Sequence, residues 1–302
     1  MSSAPPHITV PSDASQLPVT LPILLDKKRR GEPIVMVTAY DFPSARAAES
    51  AGVDIVLVGD SGAMTVLGYP STIPVTTDEL LVLARAVRRG LRTPFMVGDL
   101  PFGSYEESDQ QAVATAMRFV KEAGCDAVKL ERGNEVSVAR ARAIVQSGIP
   151  VMGHVGLTPQ TSTALGGYRA QGRDTAAAAR IAAEAMALQA AGCFSIVFEA
   201  IPAAVTAELM PRMEIPVIGI GAGPAADGQV LVFHDLLGIR EGRGARFVQR
   251  YGDLQAEMEA GVRAYADDVR SRRYPAPEHA YSIDAGELAE FRAALSDPVS
   301  GV

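Results

Sequence analysis

The chain has 302 residues, 48% of them hydrophobic, with a mean hydropathy of +0.12, enough to bury the core of one large α/β domain. Its net charge of −7 and pI near 5.2 repel phosphate backbones and argue against nucleic acid as a partner. The longest apolar stretch, "AAAARIAAEAMALQAAGCFSIVF", is broken by Arg180, Glu184 and Gln189, so no membrane span is expected.

Residues 1–17, rich in Pro and Ser, read as a flexible N-terminal arm without the basic-then-apolar order of a secretory signal. The basic run Lys27-Lys28-Arg29-Arg30 before Gly31 reads as a solvated helix end. Beyond it, short runs of Val, Ile, Leu and Phe recur. They are "IVMVTA" (34–39), "DIVLVG" (54–59), "FMVG" (95–98), "DAVKLE" (126–131), "PVMGHV" (150–155), "FSIVFE" (194–199), "PVIGIG" (216–221) and "QVLVFH" (229–234). Their apolar character is nearly continuous rather than alternating, as in parallel strands covered on both faces.

Helical patterns separate most of these runs. "SARAAESAG", "SDQQAVATAMRFVKEAG", "NEVSVARARAIVQSG" and "DTAAAARIAAEAMALQAAG" each close on glycine, where a left-handed cap costs least. Eight strands alternating with helices predict an α/β fold of the (β/α)8 barrel type, with a doubly wound open sheet as the alternative. The segment "AGPAADG" between the last two strands has room for about one helical turn. The barrel domain is expected over 18–282, with helices from about residue 253 closing it and a C-terminal helix or tail over 283–302. Cys125 and Cys193 lack metal-ligand spacing and read as buried thiols of a cytoplasmic protein.

A barrel aims every strand's C-terminal end at one face, where active sites lie. The polar residues at or just past those ends are Asp41, Asp60, Asp99, Lys129, Glu131, His154, Glu199 and Asp235. Two long loops, "SGAMTVLGYPSTIPVTTD" and "GLTPQTSTALGGYRAQGRD", belong to the same face and suit lids or substrate walls. Asp60, Asp99 and Glu131 form an all-oxygen set of the kind that suits Mg²⁺; strand-end capping is the ordinary alternative. Lys129 and Glu131 stand two apart, so both point to one face of the strand, as an ion pair or as ligands. Glu199 follows an apolar strand, the desolvated setting of a general base, though a salt-bridged strand end would look the same. His154 has no second histidine at ligand spacing, which excludes a zinc site of the usual kind. "GIGAG" (219–223) fails the dinucleotide fingerprint because Pro224 follows where a glycine belongs.

The ordered segments "TAYD", "GDS", "GYPSTIPVT", "GDLPFGSY", "AVKLERG", "GHVGLTPQ", "LGGYRAQGRD", "FEAIP" and "IGIGAGPAADGQVLV" resemble the ketopantoate hydroxymethyltransferase family, from about residue 18 to about 282. The resemblance implies a (β/α)8 barrel enzyme of pantothenate and coenzyme A biosynthesis. Such an enzyme moves a one-carbon unit from 5,10-methylenetetrahydrofolate to 3-methyl-2-oxobutanoate and gives 2-dehydropantoate. It also implies Mg²⁺ and, for bacterial members, a homodecamer. Carried over by motif, Asp60 and Asp99 are metal ligands that also contact substrate, and Glu131 completes the metal shell directly or through water. Ser61 and Lys129 hold the oxo acid, His154 lines its pocket, and Glu199 is the base. Tyr40 and the loop after the fifth strand are candidates for folate contact.

Three departures stand out: "GDSGAM" where "GDSLGM" is familiar, Arg132 where glycine is usual, and Val82-Leu83 where a histidine is expected. Mg²⁺-dependent lyases of the phosphoenolpyruvate mutase and isocitrate lyase type are the alternative enzyme. Cys125 and Cys193 precede their strands, at the wrong end of the barrel for the reactive cysteine of that class. A barrel that only binds a metabolite is the non-enzymatic alternative.

Overall fold

The near-continuous apolar runs form the staves of a closed barrel. In the computed structural model, which describes residues 17–240, 242 and 244–296, eight strands pair in parallel in the order β1 to β8, and β8 closes on β1. Helix α1 (Leu21–Arg30) leads into β1 (Ile34–Thr38), α2 (Phe42–Ala51) and β2 (Ile55–Val58). Then come the short α3 (Gly62–Thr65), α4 (Thr77–Gly90), β3 (Phe95–Asp99), α5 (Asp109–Ala123), β4 (Ala127–Lys129), α6 (Glu135–Gln146) and β5 (Val151–Gly156). The unit is completed by α7 (Ser162–Leu165), α8 (Thr175–Ala190), β6 (Ser195–Glu199), α9 (Ala203–Leu209), β7 (Val217–Ile220), β8 (Gly228–Leu231) and α10 (Phe233–Leu237). The (β/α)8 expectation is met, and the open-sheet alternative falls with barrel closure.

Burial explains why the strands read as unbroken apolar runs. Ile55, Leu57, Phe95, Val97, Met152, Val197 and Ile218 fill the barrel interior, and Leu24 of α1 joins them. Their neighbours Val56, Val58, Met96, Val128, Ile196 and Phe198 pack outward in a second core with helical residues such as Leu80, Phe119, Ile144 and Leu188. Strands β2 to β7 are therefore covered on both faces.

Local signals set the helix ends. Thr76 and Glu79 form a reciprocal capping box at α4, while Ser108, Asn134 and Asp174 cap α5, α6 and α8. Asp41, one of the strand-end carboxylates, belongs to this class. Its Oδ1 accepts from the backbone N–H of Ser44 at 2.7 Å and caps α2. Between β7 and β8 the chain makes a turn with no helix, and Val35 on β1 and Gln229 on β8 are exposed.

The compact unit that carries the barrel ends at Gly252, and the remainder forms a second unit; the sequence-based boundary lay at residue 282. The second unit contains α11 (Leu254–Arg270) and α12 (Ala285–Ser296), helical as expected. The arm expected over 1–17 lies, apart from Leu17, outside the described residues, as does the tail beyond Ser296. Among the described residues no helix is long and apolar enough to cross a membrane.

Candidate active site

Strand register brings the predicted side chains together at the C-terminal mouth of the barrel. Asp99 at the end of β3 pairs in register with Lys129 at the end of β4, and Gly156 on β5 with Glu199 at the end of β6. Asp60, Ser61, Asp99, Lys129, Glu131, His154 and Glu199 all line one cavity of about 840 Å³. That volume lies within the range of small-molecule sites and exceeds what a five-carbon acid fills.

The geometry of the acids is specific. Lys129 Nζ lies 2.7 Å from Asp99 Oδ1 and 3.8 Å from Glu131 Oε1, with all three side chains buried. The other Asp99 oxygen accepts from the backbone N–H of Asp60 at 3.2 Å. Asp60 Oδ2 accepts from Gln160 Nε2 at 3.0 Å, and no hydrogen bond reaches its Oδ1 from any described residue. His154 sits between two carboxylates, Nδ1 3.5 Å from Glu131 Oε1 and Nε2 3.3 Å from Glu199 Oε2. Neither ring nitrogen makes an aligned hydrogen bond, so charge attraction holds the ring.

Burial and neighbouring charges set the protonation of these groups. Burial, then repulsion from Asp99 and Glu131, pushes the Asp60 carboxyl well above its usual range. Asp99 is also raised, chiefly by burial, although Lys129 opposes the shift. Burial would raise Glu131 too, but His154 and Lys129 outweigh it and hold this carboxyl below its usual range. Burial and Lys129 work against a charged His154; contact with Glu131 and Glu199 prevails and takes its pKa to about 9. For Lys129 the surrounding carboxylates overcome the burial penalty, and the ammonium stays protonated.

Does this set fit a divalent cation? Four carboxylates, Asp60, Asp99, Glu131 and Glu199, face two bases, Lys129 and His154. These six groups alone would carry two net negative charges when ionised, while the cavity wall also holds Asp235 with Arg169, Arg240 and Arg246. Among the described residues no three acidic, imidazole or thiol side chains converge tightly enough to hold an ion by themselves. Mg²⁺ does not require that, since it usually takes one or two carboxylates and fills its shell with water and substrate oxygens. Asp60, with an oxygen free of hydrogen bonds, and its neighbour Asp99 are such a pair, and the donor chemistry fits.

Two further residues emerge here that the sequence did not single out. Thr72, in the long loop after β2, is buried and lines the cavity, and its hydroxyl has no hydrogen-bond partner. Gln160, in the turn after β5, is 2% exposed and bonded to Asp60 and Glu131 at once. Asp235 lines the cavity wall paired with Arg240 at 2.5 Å. The cavity wall includes Ser61, whose Oγ lies 2.8 Å from the Tyr40 hydroxyl.

The three departures have local consequences. Any Cβ at Gly62 would come within 2.7 Å of the Tyr40 ring, so the "GDSGAM" variant lets Tyr40 pack beside Ser61. Arg132 has φ +72°, the left-handed region that favours glycine. Ala200, just after Glu199, has φ +50°, so two of the site's carboxylates are each followed by a strained non-glycine residue. Val82 is exposed on α4, and Leu83 packs in the outer core.

Comparison with known proteins now decides the family. Residues 18–277 match the family model described as ketopantoate hydroxymethyltransferase. The chain belongs to the ketopantoate hydroxymethyltransferase family. It is 48% identical over 300 residues to the mitochondrial 3-methyl-2-oxobutanoate hydroxymethyltransferase 1 of Arabidopsis thaliana, covering 96% of this chain and 86% of the relative. A 3-methyl-2-oxobutanoate hydroxymethyltransferase of Acidothermus cellulolyticus is 51% identical over 272 residues, covering 89% of this chain and all of the relative (100%). Membership makes the chain an enzyme of the transferase class. The fold is shared more widely. A phosphonopyruvate hydrolase solved with oxalate and Mg²⁺ superimposes with a TM-score of 0.57 at 12% identity, over 91% of this chain and 95% of the other. A 2,3-dimethylmalate lyase does so with 0.54 at 15%, over 90% and 99%. At those identities the likeness speaks for the barrel alone.

Proposed function

We propose that the chain transfers a one-carbon unit from 5,10-methylenetetrahydrofolate to 3-methyl-2-oxobutanoate, giving 2-dehydropantoate for pantothenate and coenzyme A biosynthesis. The observation that carries the proposal is the convergence of Asp60, Asp99, Lys129, Glu131, His154 and Glu199 on one cavity in a chain of this family. The names of its relatives supply the acceptor, and the geometry supplies a route.

In this reading Asp60 and Asp99 would hold Mg²⁺, with Glu131 supporting its shell. A bound Mg²⁺ would act as a Lewis acid on the oxo acid's keto oxygen, an effect worth several kcal/mol. That a protein of the same fold was solved with oxalate and Mg²⁺ is compatible with an oxo acid at such a mouth.

The chain's own groups do the rest. Lys129, held by Asp99 at 2.7 Å, supplies fixed positive charge where negative charge develops on the keto oxygen. Ser61 Oγ offers a hydroxyl to the acid. Glu199, only partly buried, reaches the cavity as the base that removes the C3 proton, a contribution of roughly 10²–10⁴-fold for a placed base. His154, with Nε2 3.3 Å from Glu199 Oε2, stands beside that carboxylate and orients it. The electron pair left at C3 bonds to the methylene carbon of the donor, whose two C–N bonds break, and the two nitrogens take up the C3 proton and one proton of water. Tetrahydrofolate then leaves, and one water supplies the hydroxyl oxygen of the product.

The family supports a homo-oligomer, a decamer in bacterial members, which sedimentation of the full chain would measure. The buried free thiols Cys125 and Cys193 support a reducing compartment such as the cytoplasm, while the plant relative is named mitochondrial. The test of the reaction is direct. Incubation with Mg²⁺, the oxo acid and donor carrying ¹³C in its methylene should place label in the hydroxymethyl carbon of 2-dehydropantoate. Cleavage of hydroxy-diacids without folate, and no labelled product, would replace this reading with the lyase one.

A further inference from the structure

We propose that Gln160 and Tyr105 form a positioning relay that fixes the rotation of Asp60 and Glu131, so that a cation finds its ligand oxygens already aimed; this rests on the cation reading given above. Neither residue lines the cavity, so both act only through the carboxylates they hold.

The relay is a closed circuit of buried hydrogen bonds. The backbone N–H of Glu131 donates to the Tyr105 hydroxyl oxygen at 3.3 Å, and that hydroxyl donates to Gln160 Oε1 at 2.6 Å. Gln160 Nε2 donates to Asp60 Oδ2 at 3.0 Å and to the Leu100 carbonyl at 2.9 Å. The backbone N–H of Gln160 returns to Glu131 Oε2 at 3.0 Å. Tyr105 and Gln160 are each 2% exposed, so water does not compete for these bonds.

The direction of the circuit fixes the amide. Tyr105 has one hydroxyl proton, and its oxygen already receives the Glu131 N–H, so the proton goes to Gln160. The amide oxygen must therefore face Tyr105 and the NH₂ must face Asp60. A flipped amide would set its oxygen against the Leu100 carbonyl and turn its NH₂ toward the Tyr105 hydroxyl proton, losing both bonds. With the amide locked, Oδ2 of Asp60 is occupied and Oδ1 is the oxygen left for a ligand. Glu131 is turned likewise, Oε2 engaged by Gln160 and Oε1 facing Lys129 and His154. One residue after β5 thus orients carboxylates that follow β2 and β4, Asp60 through its side-chain amide and Glu131 through its backbone N–H. Partners behind metal ligands that act in this way are worth about 10–100-fold in metal affinity.

The experiment uses the full chain, stripped with chelator, and Mn²⁺ as the probe, with free ion read by electron paramagnetic resonance. Gln160→Leu should weaken Mn²⁺ binding about 10–100-fold. Tyr105→Phe, which leaves the amide in place but free to flip, should weaken it less. The double variant should be no weaker than Gln160→Leu alone, because Tyr105 works through Gln160. In turnover, saturating Mg²⁺ should restore kcat in both single variants, which general damage to the fold would not allow. Wild-type Mn²⁺ affinity in Gln160→Leu, or penalties that add in the double variant, would overturn the relay. If Gln160→Leu fails to fold, Tyr105→Phe decides, and unchanged Mn²⁺ affinity there refutes the lock. A wild-type chain that binds no Mn²⁺ would instead refute the cation reading on which the relay depends.

Discussion

Among the described residues Lys129 is the only ammonium beside the site's carboxylates, and Lys129→Met removes its charge while keeping most of its length. The side chain is 3% exposed, and its charge partners are Asp99 at 2.7 Å and Glu131 at 3.8 Å. Without it, buried Asp99 retains one hydrogen bond, from the Asp60 backbone at 3.2 Å, and faces Asp60 and Glu131 uncompensated. Breaking a buried pair by removing one partner costs about 3–5 kcal/mol. At roughly 2–4 °C per kcal/mol for a unit of this size, the melting temperature should fall by about 6–20 °C. The loss should shrink as pH falls, because Asp60 and Asp99 already have raised pKa values and neutralise by taking up protons. Thermal unfolding of chelator-treated wild type and variant, at pH 7 and at pH 5, measures both effects. A variant that melts within about 2 °C of wild type at pH 7, well under the shift expected for a broken buried pair, would refute the claim that this ammonium holds the carboxylates together.

Asp60 has a pKa raised in the fold, so stability is lost as pH rises from the ordinary carboxylate range toward that raised value, and the cost is complete above it. Asp60→Asn should therefore stabilise the chelator-treated protein at neutral pH, by on the order of 1 kcal/mol or more in urea denaturation, and should abolish turnover. His154 has its pKa raised from 6.5 to about 9, so its stabilising contribution is complete below pH 6.5 and fades as pH climbs through about 9. His154→Gln should flatten that part of the stability–pH profile, and an unchanged slope would show that the imidazolium does not bridge Glu131 and Glu199. Arg132→Gly should relieve the left-handed backbone at φ +72°, an exposed position. Glycine's greater freedom in the unfolded chain offsets part of the gain, leaving about 0.5–1 kcal/mol, and a loss of stability would show that the arginine side chain outweighs the strain.

Much of this molecule was legible because its signals are local. Val56 and Leu57 both had to be buried, one toward helices and one toward the barrel axis, and that double burial is what "IVLV" records. The polar residues that end such runs, Asp60, Asp99 and Glu199, then had one mouth to share. Asp41 misled because a carboxylate at a strand end and a carboxylate that opens a helix look alike; the serine three residues later was the available sign of a cap. Gln160 could not be found this way. It is neutral, sits in a turn, and acquires meaning only when folding sets its amide beside Asp60, one hundred residues away in the chain. Thr72 is similar, a threonine in a loop of small polar residues until burial leaves its hydroxyl with no hydrogen-bond partner among the described residues. The absence of a helix between β7 and β8 follows from the short spacing of "AGPAADG", where the turn needs every residue.

The central claim is that carboxylates from separate strands hold a cation beside an oxo acid while Glu199 takes its C3 proton. Loss of the C3 proton signal of 3-methyl-2-oxobutanoate in D₂O, followed by NMR without any folate, measures that step alone. Exchange should require Mg²⁺, stop on chelation, and fall roughly 10²–10⁴-fold in Glu199→Gln, the contribution of a placed base. Exchange that proceeds at the wild-type rate in Glu199→Gln, or that ignores removal of the cation, would contradict the account.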